Sequence, residues 1–177
     1  MALQGPSVEL TPLRDDDSAV LFEWINDREL VTMSTAFQPV SRVAHDAWFD
    51  SVRRRDDMRI FGIRLRDGDR LVGSCQLHSI HPVHRSAELQ IRIGEREAWG
   101  HGIGREATQI LMRYGFEQLG LHRIYLHVFA TNERALRLYR GVGFREEGVL
   151  RAAACIDDEW VDVVVMAVLA SDYARDR

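Results

Sequence analysis

Trp99-Gly100-His101-Gly102-Ile103-Gly104-Arg105 is the stretch on which the reading of this chain turns. Three glycines alternate over five positions. Glycine takes positive φ at little cost and lets a ligand or another backbone come close. Downstream, Glu106 to Phe116 places apolar residues at 107, 110, 111, 114 and 116, the spacing of a helix with one buried face. Upstream, Ala87-Glu88-Leu89-Gln90-Ile91-Arg92-Ile93 alternates apolar and polar, as a half-buried strand does. The order is strand, glycine loop, helix. Successive N–H groups in such a loop, with the positive end of the helix, make an anion site that suits a phosphate or pyrophosphate. A simple turn into a helix shows the same glycines, so the loop alone leaves both readings open. No Gly-Lys-Ser/Thr follows, which excludes a P-loop, and G-x-G-x-G is not the dinucleotide spacing G-x-G-x-x-G.

The totals narrow the classes. A chain of 177 residues with 46% hydrophobic and 28% charged residues predicts one ordinary globular domain over 1–177. Its net charge of −4 argues against a nucleic-acid partner, which favours a basic face. No apolar run approaches the roughly 20 residues of a membrane span, and the N-terminus lacks a basic-then-apolar signal pattern. A cytoplasmic protein is expected, with no membrane partner. Cys75 and Cys155 have no metal-ligand spacing and read as reduced core residues. His78, His81 and His84 lack an acidic or cysteine partner at ligand spacing, so no metal is expected. All 23 cationic side chains are arginine, which excludes lysine Schiff-base chemistry.

Along the chain, Val8–Leu13 reads as a first strand, near an edge because of Pro12. Asp15-Asp16-Asp17-Ser18 caps a helix through Ile25, and 26–39 reads as irregular. Ser41 caps a second helix that ends in Arg53-Arg54-Arg55, a solvated cluster. Strands follow near 59–66 and 70–80 around the turn Asp67-Gly68-Asp69, then one at 86–93. The strand 123–129 should lie inside the sheet and parallel to 86–93, since a helix joins them. A helix from Asn132 through Tyr139 ends at Gly141 and Gly143. Phe144–Ile156 and Trp160–Leu169 form a hairpin. The pattern predicts one mixed sheet with helices on both faces.

Asn132-Glu133-Arg134-Ala135-Leu136-Arg137-Leu138-Tyr139-Arg140-Gly141-Val142-Gly143-Phe144, taken with the glycine loop, resembles the GNAT superfamily of acyl-CoA N-acetyltransferases. Its two signatures are R/Q-x-x-G-x-G/A and, beyond the next strand, N-x-x-A-x-x-x-Y-x-x-x-G-F. The resemblance implies an α/β (α+β) fold: a seven-stranded, mostly antiparallel twisted sheet with a central parallel pair and about four helices. His84 to Glu88, Leu121 to Val128, Asp162 and Met166 are similar in wording to the bacterial spermidine N-acetyltransferase branch. Ribosomal-protein N-terminal acetyltransferases and amino-sugar acetyltransferases are neighbouring branches. Two departures stand out. Trp99 occupies the Arg/Gln place of the loop pattern. Where the spermidine branch carries an acidic Phe-Glu-Glu-Pro-Tyr-like cluster, this chain reads Ala36-Phe37-Gln38-Pro39-Val40, and a polycation would lose charge-assisted contacts there.

What the resemblance implies is transfer of acetyl from acetyl-CoA, as co-substrate, to a primary amine of a small molecule, the acceptor class that includes polyamines. Gly100, His101, Gly102, Ile103, Gly104 and Arg105 would supply donors for the pyrophosphate. Ile91, Arg92 and Ile93 would offer a strand edge to the pantetheine arm and donors to the thioester oxygen. Gly94, Trp99, Asn132, Ala135, Leu138 and Arg140 complete the cofactor set. A free alkylamine with pKa near 10 is neutral in only about one molecule in a thousand at pH 7, so a base or water chain is needed. Glu88 is the candidate base, or else a solvent-face residue or arginine partner. Tyr139 matches the family's acid for the thiolate, or else is a core aromatic. In the family layout the acceptor pocket would be framed by the first two helices and the last hairpin, with Asn26, Asp27, Glu29, Asp157, Asp158, Glu159 and Asp162 nearby. Acetylation of a protein N-terminus, of an amino sugar or of an aminoglycoside are the alternatives, and a non-catalytic acetyl-CoA-binding module is one of another class. A homodimer or higher homo-oligomer is the family-like assembly.

Overall fold

The computed structural model describes residues 3–52 and 54–175. One seven-stranded sheet runs in the order β1-β2-β3-β4-β5-β7-β6. The strands are β1 Val8–Thr11, β2 Arg59–Leu65, β3 Leu71–His81, β4 Ser86–Ile93, β5 Arg123–Phe129, β6 Arg145–Ile156 and β7 Glu159–Leu169. Every pairing is antiparallel except β4 with β5. This is the mixed sheet with a central parallel pair that the sequence predicts, and β4 and β5 have the predicted bounds.

The helices are α1 Asp17–Ile25, α2 Arg28–Thr32, α3 Arg42–Val52, α4 Ile103–Arg113, α5 Glu133–Gly141 and α6 Ala170–Arg175. That is six among the described residues, not about four. α2 lies inside the stretch read as irregular. Asp27 explains it: its carboxylate accepts from the Leu30 N–H at 3.1 Å and starts one short turn that hydrophobic spacing could not reveal. The Arg53 end of the arginine cluster lies outside the described residues, while Arg55 pairs with Asp57. Cys75 is buried as expected, but Cys155 is exposed on edge strand β6, a correction to its reading as a core residue.

α4 buries Ile103, Ala107, Ile110 and Leu111 against Ala87 and Leu89 of β4 and the inner residues of β5. It then widens into a π-turn at Tyr114–Gln118. Gly115 permits this turn to sit close on the sheet, since a Cβ there would lie 2.8 Å from Ile124 Cδ1. On the other face, α1 and α3 pack Leu21, Trp24 and Phe49 over β2 and β3. A buried ion pair, Arg64 with Asp17, ties β2 to the first turn of α1.

Candidate active site

The parallel pair is short. β4 and β5 are joined only at Ser86↔Arg123, Ala87↔Ile124 and Glu88↔Tyr125. Beyond Glu88, β4 stays with β3 as far as Ile93, and β5 stays with β7 as far as Phe129. The two strands therefore fork, and the edge of β4 at Ile91, Arg92 and Ile93 faces the gap without a strand partner. The glycine loop follows β4 after one 3₁₀ turn at Arg96–Ala98. Trp99, in the place where the family pattern has Arg or Gln, donates its indole N–H to the Ile93 carbonyl at 2.9 Å. The guanidinium groups of Arg96 and Arg134 lie 5.9 and 5.0 Å from its ring. The indole thus ties the loop to the end of β4.

Gly100 and Gly102 have φ of +84° and +79°, and nothing stands within 4 Å of where their Cβ atoms would be. α4 opens at Gly102 with no side chain capping it. Its first N–H groups, at Ile103, Gly104 and Arg105, point out of the helix without intrahelical partners. This open cradle of N–H groups at a helix start is suited to an anion. α5 closes one side of it: Leu138 lies 3.1 Å from the Cβ position at Gly104, and Arg105 donates to the Gly141 carbonyl at 3.0 Å. Asn132 caps α5 by accepting from Ala135 N–H at 3.0 Å and donates to the Met33 carbonyl at 3.0 Å, joining α5 to the end of α2. Arg140 is committed to Glu146, and His101 is exposed.

Glu88 stands at the fork. Its carboxylate meets Nδ1 of His127, on β5, at 2.7 Å. The His127 contact escaped the sequence reading, because only the strand register places 88 beside 125 and 127. Tyr139 is buried, with its ring edge-on to Phe144 at 5.7 Å between centroids. Burial pushes its phenol above the ordinary tyrosine range.

A cavity of about 490 Å³ lies on the Glu88 side of the sheet, between α1, α3 and strands β2 to β4. Trp24 and Trp48 line it, with Ser74, Gln90 and Arg92 on its floor. Two of the expected walls, α1 and α3, are present, but the final hairpin contributes none of the described lining residues. The acidic residues placed near it by the sequence reading are elsewhere. Asp27 and Glu29 bind Arg96, Asp157 binds Arg28, and Asp162 accepts from the Ala152 N–H. Asn26 holds both the Phe22 and Val40 carbonyls, and Asp158 and Glu159 are exposed in the β6–β7 turn. Arg92 is half-buried, and desolvation draws its guanidinium below the ordinary arginine range. Among the described residues its head contacts Ser34 Oγ at 3.4 Å, and its buried Nε has no partner.

Gly94 packs directly against Trp24, whose indole lines the cavity. A Cβ there would fall 2.0 Å from the indole. Gly94→Ala is expected to destabilise the fold by about 1–3 kcal/mol as the indole is displaced. Chemical denaturation checks this, and an unchanged midpoint would show that Trp24 moves freely.

Residues 7–145 match the family described as "Acetyltransferase (GNAT) domain". The chain is 31% identical over 176 residues to the spermidine N(1)-acetyltransferase of Escherichia coli strain K12, covering 97% of this chain and 90% of that one. It is 31% identical over 113 residues to the putative ribosomal N-acetyltransferase YdaF of Bacillus subtilis, covering 64% of this chain and 61% of that one. Its fold is similar to the crystal structure of spermidine N-acetyltransferase from Vibrio cholerae in complex with CoA and spermine. The TM-score is 0.87 at 30% identity, covering 94% of this chain and 98% of that one. With the forked parallel pair and the open loop at α4, these likenesses identify the chain as a member of the GNAT N-acetyltransferases, enzymes whose acetyl donor is acetyl-CoA.

Proposed function

We propose that this chain acetylates the primary amine of a small molecule by direct attack, with Glu88 on the proton-accepting side and Tyr139 on the proton-donating side. The observation that carries this reading is the fork itself. It leaves a strand edge unpaired at Ile91–Ile93, three residues past the Glu88 carboxylate that meets the His127 imidazole, and leads on to the open loop.

Acetyl-CoA supplies the activated acetyl group. The backbone at Ile91–Ile93 orients it and offers N–H donors where negative charge grows on the carbonyl oxygen. The acceptor arrives as an ammonium and must lose a proton before its nitrogen can attack. Glu88 takes that proton directly or through water, and His127 can pass it outward. As the new C–N bond forms, the C–S bond breaks. Tyr139, kept protonated by burial, gives its hydrogen to the sulfur.

The relatives named for spermidine put polyamines first among the amines to assay. Release of free thiol from acetyl-CoA, followed across spermidine, spermine, an aminoglycoside, an amino-sugar nucleotide and a short peptide, tests the reading. Small-molecule turnover that falls about 10²-fold in Glu88→Gln supports it. Turnover of the peptide alone would move the acceptor to protein N-termini. CoA binding without product from any amine would point to a non-catalytic module.

A further inference from the structure

The cavity beside the fork has the size of a small-ligand site, since such sites span about 300–1,000 Å³. Its chemistry is one-sided. Trp24, Trp48 and Ile60 give it an apolar wall. Among the described residues that line it there is no aspartate or glutamate, yet it contains the half-buried guanidinium of Arg92. Buried charges are ordinarily paired. Among the described residues no carboxylate pairs with Arg92, and its Nε is buried without a hydrogen bond. A polycation in this cavity would meet an uncompensated positive charge and no acid to hold it. An anion would meet a planar fork of donors that fits a carboxylate or phosphate in two-point fashion.

The register gives the cavity a direction. Glu88, Gln90 and Arg92 share one face of β4. Glu88 and Arg92 are four residues apart, about 13 Å along the strand. Arg92 lies in the cavity and Glu88 outside it toward the fork, with Gln90 between them on the strand and the apolar wall of Trp24, Trp48 and Ile60 across from Arg92.

We propose that the acceptor joins its primary amine to an apolar body bearing an anionic group, a carboxylate or phosphate, and that Arg92 selects for that group. The ammonium lies toward Glu88 and the anion toward Arg92. This rests on the acetyl-transfer reading for its purpose, but not for its binding chemistry.

Binding separates the two. Four amines are titrated against the full chain with CoA present, and quenching of tryptophan fluorescence is recorded: para-aminomethylbenzoate, para-aminomethylphenyl phosphate, para-methylbenzylamine and spermidine. The expected result is that at least one probe bearing an anion binds tenfold or more tighter than para-methylbenzylamine, which carries the ammonium alone, and that spermidine is weakest. The benzoate and phosphate arms tell which anion is preferred. In Arg92→Gln the anionic advantage is expected to vanish, and in Arg92→Lys to survive in part. Binding of para-methylbenzylamine to each variant reports that the cavity is intact. Equal binding of the probes with and without an anion, tighter binding of spermidine, or an advantage that persists in Arg92→Gln would each overturn the proposal. Anion-selective binding without acetylation of any probe would count against the transfer reading and leave the acceptor class standing.

Discussion

Tyr139→Phe is expected to lower kcat by about 10²-fold, the usual scale for losing one general acid. The KM for acetyl-CoA should hardly move, because the change deletes no donor of the loop or of the β4 edge. The substitution isolates the hydroxyl. Phenylalanine keeps the ring volume and the edge-on contact with Phe144, so the core that Tyr139 shares with α4 survives. Stability should therefore stay within about 1 kcal/mol of the parent. The pH profile adds a second check. Burial raises the phenol's pKa, so Tyr139 stays protonated through the working range and contributes no alkaline fall in rate there. Steady-state thiol release at saturating acceptor measures kcat. A folded variant with the parent rate would remove Tyr139 from the reaction.

Asp17→Ala is expected to cost about 3–5 kcal/mol of folding stability, the scale for breaking one side of a buried ion pair. Asp17 and Arg64 are each 4% exposed. The Asp17 carboxylate also accepts from Arg14 N–H at 2.7 Å. Arg64 spends its other donors on Thr11 Oγ1 and the Asp69 carbonyl, each at 3.1 Å. The alanine leaves a guanidinium in the interior without its buried counter-charge, with only the exposed Asp69 carboxylate 3.8 Å away. Replacing both residues together by apolar ones of similar size should cost far less than the single change, because no charge is then stranded. Urea unfolding of the single and double variants measures the difference. A single-variant loss below about 1 kcal/mol would mean that water reaches Arg64. The site depends on this pair, since α1 carries Trp24 from it to its place against Gly94.

Much of the fold was legible because strict alternation marks 87–93, and the glycine loop and the Asn132–Phe144 signature frame the helices on either side of β5. The loop, the unpaired edge of β4 and the Asn132 cap lie where the sequence placed them. What escaped was set by distant pairing. His127 becomes Glu88's partner only through the β4–β5 register, 39 residues apart in sequence. The acidic residues expected around the acceptor follow from the family layout that the resemblance implies, but Arg96 and Arg28 neutralise three of them in place. Arg92 was read for its backbone alone. Its side chain matters because alternation puts it on the face opposite Ile91 and Ile93, under α1 and α3. Cys155 is apolar enough for a core, yet edge strand β6 leaves it in solvent.

The three-rung junction between β4 and β5 makes the sheet two boards joined along a short seam. One board is β1 to β4 and the other is β5, β7 and β6. A ligand laid along the open edge of β4 acts as a borrowed strand, and occupancy becomes part of the folding equilibrium. At a concentration about 100 times its Kd it would add about 2.7 kcal/mol to the stability of the whole domain. Amide hydrogens at Ile91–Ile93 that face the gap would then exchange with solvent quickly in the empty enzyme and slowly in the loaded one. The seam makes cofactor supply a determinant of how long this chain resists unfolding.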